Sequence, residues 1–265
     1  MAMLSEAEIR AASDLIWQCW REGRRVPALP EDIRPGTRAE GYAIQALLER
    51  RSTQPLVGWK IAATSTAGQR HIGVDGPLAG RLLAEQVLPD GATISLGANL
   101  MRVAEPEFAF RMARALPSRT APYTAQEVLD AVGALHVAVE VPDSRFNDFA
   151  EVGAAQLIAD NACAHQWVLG PEVRADWQTM DLAAHRVIGT VAGKLHREGS
   201  GANVLGDPRI ALTWIANELS QQGVTLAAGQ VVTTGTCMVP LAVAPGDTVE
   251  ADFGLFGRMS LRFVA

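Results

Sequence analysis

The sequence predicts an α+β protein, helical at its start and β-rich afterwards, with the strands closing into a barrel- or sandwich-like body. Three observations predict it. Residues 1–54 carry apolar side chains at helical spacing. The last stretch breaks into short β-prone runs separated by PGD and GLFG turns. Between them, RVAEPEFAF (102–110) and VAVEVPDSRF (137–146) read as apolar strands carrying isolated carboxylates. Short strands with frequent turns mean a mainly antiparallel barrel or sandwich. The chain is expected to divide into a helical N-terminal region (1–54), packed on the main domain, and a β-rich main domain (55–265).

Taken in order, Ser5 followed by Glu8 forms a capping-box pattern. Ile9, Leu15, Ile16, Cys19 and Trp20 then make an apolar stripe. A polar, Pro-bearing connector (21–40) leads to a second amphipathic helix at 39–51. LVGWKIAAT (56–64) reads as a buried strand carrying Lys60. Such a lysine usually lies at an edge with its amine in water; the sharper alternative is an amine beside an acidic cluster. STAGQRHIGVDGPLAGRLL (65–83) is glycine-rich and reads as a loop over a site. TAQEVLDAVGAL (124–135) starts like a helix capped by Thr124, with Glu127 three residues on. The segment 146–156 carries no clear signal. LIADNACAHQWVLG (157–170) is apolar but interrupted by Asp160 and Asn161, a turn or else a polar corner beside a metal shell. Residues 177–200 predict a hairpin. The clearest helix is 205–223, with Asp207 as N-cap, Pro208 at its first position and Gly223 past its end. VVTTGT (231–236), LAVA (241–244), TVEADF (248–253) and RMSLRFV (258–264) close the chain as strands.

The acidic strands carry the chemistry. Glu105 and Glu107 stand two apart, so a strand puts both carboxylates on one face. Glu140 shares a face with Ala138, while Val137, Val139 and Val141 point the other way. Carboxylates on interior strands need compensation. Three oxygen donors without His or Cys suit a hard cation such as Mg²⁺ or Mn²⁺. The alternative is a solvated sheet face bridged to arginines.

Composition narrows the partners. With 265 residues, 48% hydrophobic and a net charge of −6, the chain has neither the basic surface of a nucleic-acid binder nor that of an anionic-membrane binder. It lacks an apolar run long enough to span a membrane. Acids stand in MAMLSEAEIR where a signal peptide would be basic. Cys19, Cys163 and Cys237 make neither a disulfide framework nor a zinc pattern, so the expected home is a reducing cytoplasm.

These residues together give a resemblance. GWKIAATS (58–65), GVDGP (73–77), EPEFAF (105–110), VAVEVPDSRF (137–146), IADNA (158–162), VLGDP (204–208) and the terminal PGD turn stand in one order along the chain. In this it resembles the fumarylacetoacetate hydrolase superfamily, and within it the 2-keto-4-pentenoate hydratase and 4-oxalocrotonate decarboxylase group. The resemblance implies a β-rich mixed roll or barrel with flanking helices, and a homo-oligomer. It implies a divalent metal on Glu105, Glu107 and Glu140, an active-site Lys60, and a small-molecule 2-oxo acid substrate from aromatic meta-cleavage. Two departures stand out. Hydratases of the group carry an acid one residue after the loop proline, where this chain has Leu78, a replacement that leans toward the decarboxylases. Cys163 stands where Ser is frequent.

The expected activity is therefore a metal-dependent lyase, hydrating a 2-hydroxydienoate or decarboxylating its oxalocrotonate relative. Three glutamates exceed the charge of the metal by one, so Lys60 is expected to admit an anionic substrate and to relay a proton. With no acid at position 78, the hydratase's proton transfer falls to Asp75 or to ordered water. His71 is either an acid/base on the loop or a surface histidine. Arg145 either holds a distal substrate carboxylate or is a structural partner of Asp143. Asn161, Thr234, Gly235 and Thr236 are candidates for the pocket wall. Cys163 lacks an activating base and is expected to be inert. Other classes that fit are an acylpyruvate C–C hydrolase and a 2-oxo acid binding protein that has lost its proton relay.

Overall fold

In a computed structural model that describes residues 3–265, two curled sheets share one apolar core. The chain runs α1 (Glu6–Glu22), α2 (Arg38–Ala46), β1 (Gly58–Ala62), α3 (Thr66–His71), β2 (Leu78–Leu82), β3 (Val87–Pro89) and β4 (Thr93–Ser95). It continues through β5 (Val103–Met112), α4 (Ala125–Leu129), β6 (Val132–Val141), α5 (Gly153–Ala159) and β7 (Gln166–Glu172). It ends with β8 (Arg186–Val191), β9 (Leu195–Ser200), α6 (Pro208–Gln221), β10 (Val231–Thr236), β11 (Leu241–Ala242), β12 (Thr248–Asp252) and β13 (Arg258–Val264). The larger sheet has the order β2-β1-β10-β5-β6-β7-β3, with β11 beside the start of β5; the smaller is β4-β13-β12-β8-β9. The architecture is the mixed α+β roll that the sequence predicts.

Strand periodicity decides which face is which. Phe108, Phe110, Val137, Val139, Trp59 and Ile61 enter the main core, where Phe108 meets Phe253 edge-on with centroids 5.6 Å apart. Each such fully buried side chain contributes about 1.5–3 kcal/mol. The opposite face of the larger sheet holds the small cluster of Leu82, Ala109, Ala138, Trp167 and Val231. Alternation places Lys60, Glu105, Glu107 and Glu140 on that same face.

The helical start is tied down locally and then by packing. Ser5 and Glu8 cap α1 reciprocally, and a second box, Thr37 with Glu40, caps α2. Ala12, Ile16, Leu29, Ile44, Phe146 and Ala159 form one cluster joining α1 and α2 to α5.

Several expectations need correction. The glycine-rich 65–83 is not all loop: Leu78–Leu82 is a fully buried strand, because it pairs along its whole length with β1. That pairing, with β10 on the other side, makes β1 interior, so Lys60 is not an edge residue. The 124–135 helix stops at Leu129, and Val132 already pairs with β5; sheet pairing overrides helical propensity there. The 177–200 hairpin is confined to β8 and β9. The unassigned 146–156 contains the start of α5.

Candidate active site

The β5–β6 register sets Glu105 directly across from Glu140 and Glu107 across from Ala138, so Glu107 is the diagonal neighbour of Glu140. One oxygen from each carboxylate lies within 4.8 Å of the others. Glu107 is 0% and Glu140 1% exposed, while Glu105 borders a cavity. Glu107 Oε2 accepts the Gly235 N–H at 3.0 Å. Glu107 Oε1 and both Glu140 oxygens have no hydrogen-bond partner. Lys60 Nζ sits 3.2 Å from Glu140 Oε1, within ion-pair distance but not aligned for a hydrogen bond, and donates to the Ala162 carbonyl at 3.0 Å.

Burial, then the Glu140 charge, pushes the Glu105 carboxyl up to about 7 against the pull of Lys60. Glu107 is raised well above the carboxylate range by burial and by its two acidic neighbours. Glu140 is raised by burial despite the Lys60 ammonium. For Lys60, burial acts to lower the pKa, but Glu140, Glu105 and Glu107 together prevail and raise it. One ammonium thus faces three acids, two of them buried with orphaned oxygens and the third, Glu105, half-buried at the cavity. That donor set, all carboxylate and converging, fits a hard divalent cation.

Two backbone irregularities hold the site. Between Thr233 and Thr236 the β10–β5 register slips, and Gly235 takes φ +98° to aim its N–H at Glu107. A Cβ there would come 2.0 Å from Thr64 Oγ1, so only glycine fits. The other is a left-handed turn of three consecutive residues, Asn161 (φ 56°), Ala162 (φ 51°) and Cys163 (φ 60°). The Asn161 amide pins it by accepting from Arg81 N at 2.7 Å and donating to Arg81 O at 2.8 Å. Asp160 anchors its start, accepting from Ser144 Oγ at 2.7 Å, from Arg145 N at 3.0 Å and from the Arg145 guanidinium. The turn presents the Ala162 carbonyl to Lys60.

The family model described as fumarylacetoacetate (FAA) hydrolase C-terminal matches residues 80–264. The chain belongs to the fumarylacetoacetate hydrolase family. A 2-keto-4-pentenoate hydratase of Burkholderia vietnamiensis is 30% identical to it over 98% of this chain and 99% of the relative. A 4-oxalocrotonate decarboxylase of Pseudomonas putida is 28% identical over 98% of each. The solved structure of 4-oxalocrotonate decarboxylase from Pseudomonas putida G7, complexed with magnesium and adipate, superposes with a TM-score of 0.90. It is 26% identical and covers 100% of both chains.

In this member of the fumarylacetoacetate hydrolase family the carboxylates open on a cavity of about 910 Å³. Of the residues singled out in the sequence, Lys60, His71, Leu78, Glu105, Gly235 and Thr236 line it, with Glu107 and Glu140 just behind. Asp75 does not: its side chain is 88% exposed and pairs with Arg38. Arg145 borders a second, smaller cavity beneath α1, and its partner is Asp160, while Asp143 pairs with Arg25. Asn161 shapes the turn rather than the wall, and Thr234 donates to the Phe108 carbonyl from a fully buried position. Cys163 lines the cavity, but burial, with Asp160, pushes its thiol up to about 12, which keeps it protonated. The sequence missed the Ala162 carbonyl, which carries no side-chain signal. It also missed Phe149 and Met238, apolar side chains with no local signal that line the cavity.

Proposed function

We propose that the protein is a metal-dependent lyase acting on 2-oxo or 2-hydroxydienoate acids, of the 2-keto-4-pentenoate hydratase type. The observation that carries this is the trio Glu105, Glu107 and Glu140, two of them buried and Glu105 at the cavity wall, converging within 4.8 Å and balanced by only one ammonium. Glu105, Glu107 and Glu140 would hold Mg²⁺ or Mn²⁺, which supplies Lewis-acid stabilisation of negative charge on the C2 oxygen of the acid. Lys60 offsets the excess acidic charge so that an anionic substrate can enter, and offers its ammonium as proton donor to the developing enolate. The Ala162 carbonyl fixes the direction of that ammonium. The Gly235 N–H holds Glu107 in its ligating orientation.

A second reading is the 4-oxalocrotonate-type decarboxylase, favoured by Leu78, an apolar, fully buried side chain on the cavity wall. With Asp75 turned to solvent, no loop carboxylate reaches the cavity to serve hydration, which leaves the His71 imidazole on the cavity wall or ordered water as the proton carrier. Decay of dienol absorbance with 2-hydroxypenta-2,4-dienoate tests hydration, and CO₂ release from 4-oxalocrotonate tests decarboxylation. Glu107→Gln should abolish both and weaken Mg²⁺ binding by at least about 10-fold; unchanged Mg²⁺ affinity would sink the assignment. We take the protein to work as a homo-oligomer in the cytoplasm, a setting that suits its three buried free cysteines. No helix among the described residues is long and apolar enough to cross a membrane.

A further inference from the structure

The walls of the cavity say more about the substrate than the carboxylate cluster does. Away from Glu105 they are built by Ile72, Leu100, Met101, Phe149, Leu157 and Met238. Leu100, like Val239 beside it, leaves apolar surface open to solvent. Among the described residues the lining includes one Lys or Arg, Lys60, and that ammonium is committed to the acidic cluster. The other charged side chain of the wall is Glu198, an anion already held by Arg186. His71 turns its ring edge-on to Phe149, 5.9 Å between centroids. Arg145, which the sequence left as either a holder of a distal carboxylate or a structural partner, is locked to Asp160 outside this cavity.

We propose that the cavity selects monoanionic 2-oxo or 2-hydroxydienoate acids whose far end is an alkyl or aryl group, and discriminates against dicarboxylates. The inference rests on the 2-oxo acid reading above and deepens its hydratase form; it counts against the decarboxylase form, whose 4-oxalocrotonate is a dicarboxylate. A tail of methylenes gains by leaving water for the wall of Ile72, Phe149 and Leu157. A carboxylate placed there would be stripped of its hydration with no Lys or Arg among the lining residues to meet it beyond the committed Lys60, only the His71 ring and a few hydroxyl and amide groups. At about 910 Å³ the space lies near the upper end for small-molecule sites, so there is room for a tail well beyond the pentadienoate skeleton.

The test is calorimetric binding to the full chain in excess Mg²⁺, so that it does not depend on turnover. The ligands are pyruvate, 2-oxohexanoate, 2-oxooctanoate and 2-oxoadipate, the last being the dicarboxylate of the same carbon count as 2-oxohexanoate. We expect 2-oxooctanoate to bind at least about tenfold tighter than pyruvate, the range seen when methylenes enter an apolar pocket. We expect 2-oxoadipate to bind at least about tenfold more weakly than 2-oxohexanoate. Dicarboxylate binding equal to or tighter than that of the matched monoacid overturns the inference and leaves the functional reading standing. So does an affinity indifferent to tail length. If Mg²⁺ binds but none of the acids does, or if they bind equally without Mg²⁺, the 2-oxo acid reading itself fails and takes this inference with it.

Discussion

Lys60 is where the charge balance of the site is decided. Its ammonium is 3% exposed, 3.2 Å from Glu140 and fixed by the Ala162 carbonyl. Lys60→Met keeps the stem volume and removes the charge, so the fold and Mg²⁺ binding should survive while turnover falls at least about 100-fold. Near-normal rates in that variant on an accepted 2-oxo acid would show that the amine has no part in the chemistry. The acidic trio was legible because strand periodicity alone puts Glu105 and Glu107 on one face, and the Val-rich run isolates Glu140. The second cavity was not legible. Arg145 follows Asp143 by two residues, but its partner, Asp160, is brought to it by the path of α5, which local sequence does not encode.

At the scale of elements, the left-handed turn at 161–163 is costly backbone that its neighbours must over-determine. An L-residue in that region costs about 1–2 kcal/mol, and here three stand together with no glycine. Ala162→Gly should therefore raise stability, by about 0.5–1 kcal/mol once the added freedom of the unfolded chain is counted, a gain readable by urea denaturation. A loss of stability would mean that the turn is not strained. Removing its anchor works the other way. Arg145→Ala leaves Asp160 buried and unpaired and should cost about 3–5 kcal/mol. The sequence showed Asp-Asn as either a turn or a polar corner of the metal shell; the structure shows the turn, its polar side chains bonded to Arg81, Ser144 and Arg145. What hid its handedness is that Asn, Ala and Cys all ordinarily take right-handed or extended backbone. Capping boxes were legible because they are local, as Ser5 with Glu8 and Thr124 with Glu127 show.

For the whole molecule, the raised glutamate pKa values make stability depend on pH and on metal. From the ordinary carboxylate value of 4.5 up to about 7, Glu105 holds a proton in the folded protein that the unfolded chain gives up. The raised Glu107 and Glu140 add to this, and His165, held down to about 4 by burial, opposes it below its ordinary 6.5. Metal-free protein should thus lose stability as pH rises through that window, melting lower at about pH 8 than at about pH 5. Lys60, with its pKa raised above 10.5, contributes no slope there. Saturating Mg²⁺ should flatten the fall and add about 2.7 kcal/mol at 100-fold excess over Kd. Melting curves with EDTA and with Mg²⁺ check both, and a pH slope indifferent to metal would count against the trio as ligands. The strands of this roll could be read one by one, but their order could not. β10 lies between β1 and β5, parallel to one and antiparallel to the other, and nothing near residue 231 in the sequence points to residue 58. That insertion has a consequence for biosynthesis. A ribosome adding ~5–20 residues per second releases β1 and β5 on the order of ten seconds before β10 exists. Until then the nascent chain carries two open strand edges, the kind of surface that chaperones shield and aggregates recruit. Lys60 and the three glutamates cannot be drawn together before the gap between their strands is filled. This Lys60–glutamate cluster is thus among the last parts of the protein to exist, and no fragment ending before residue 231 should contain it.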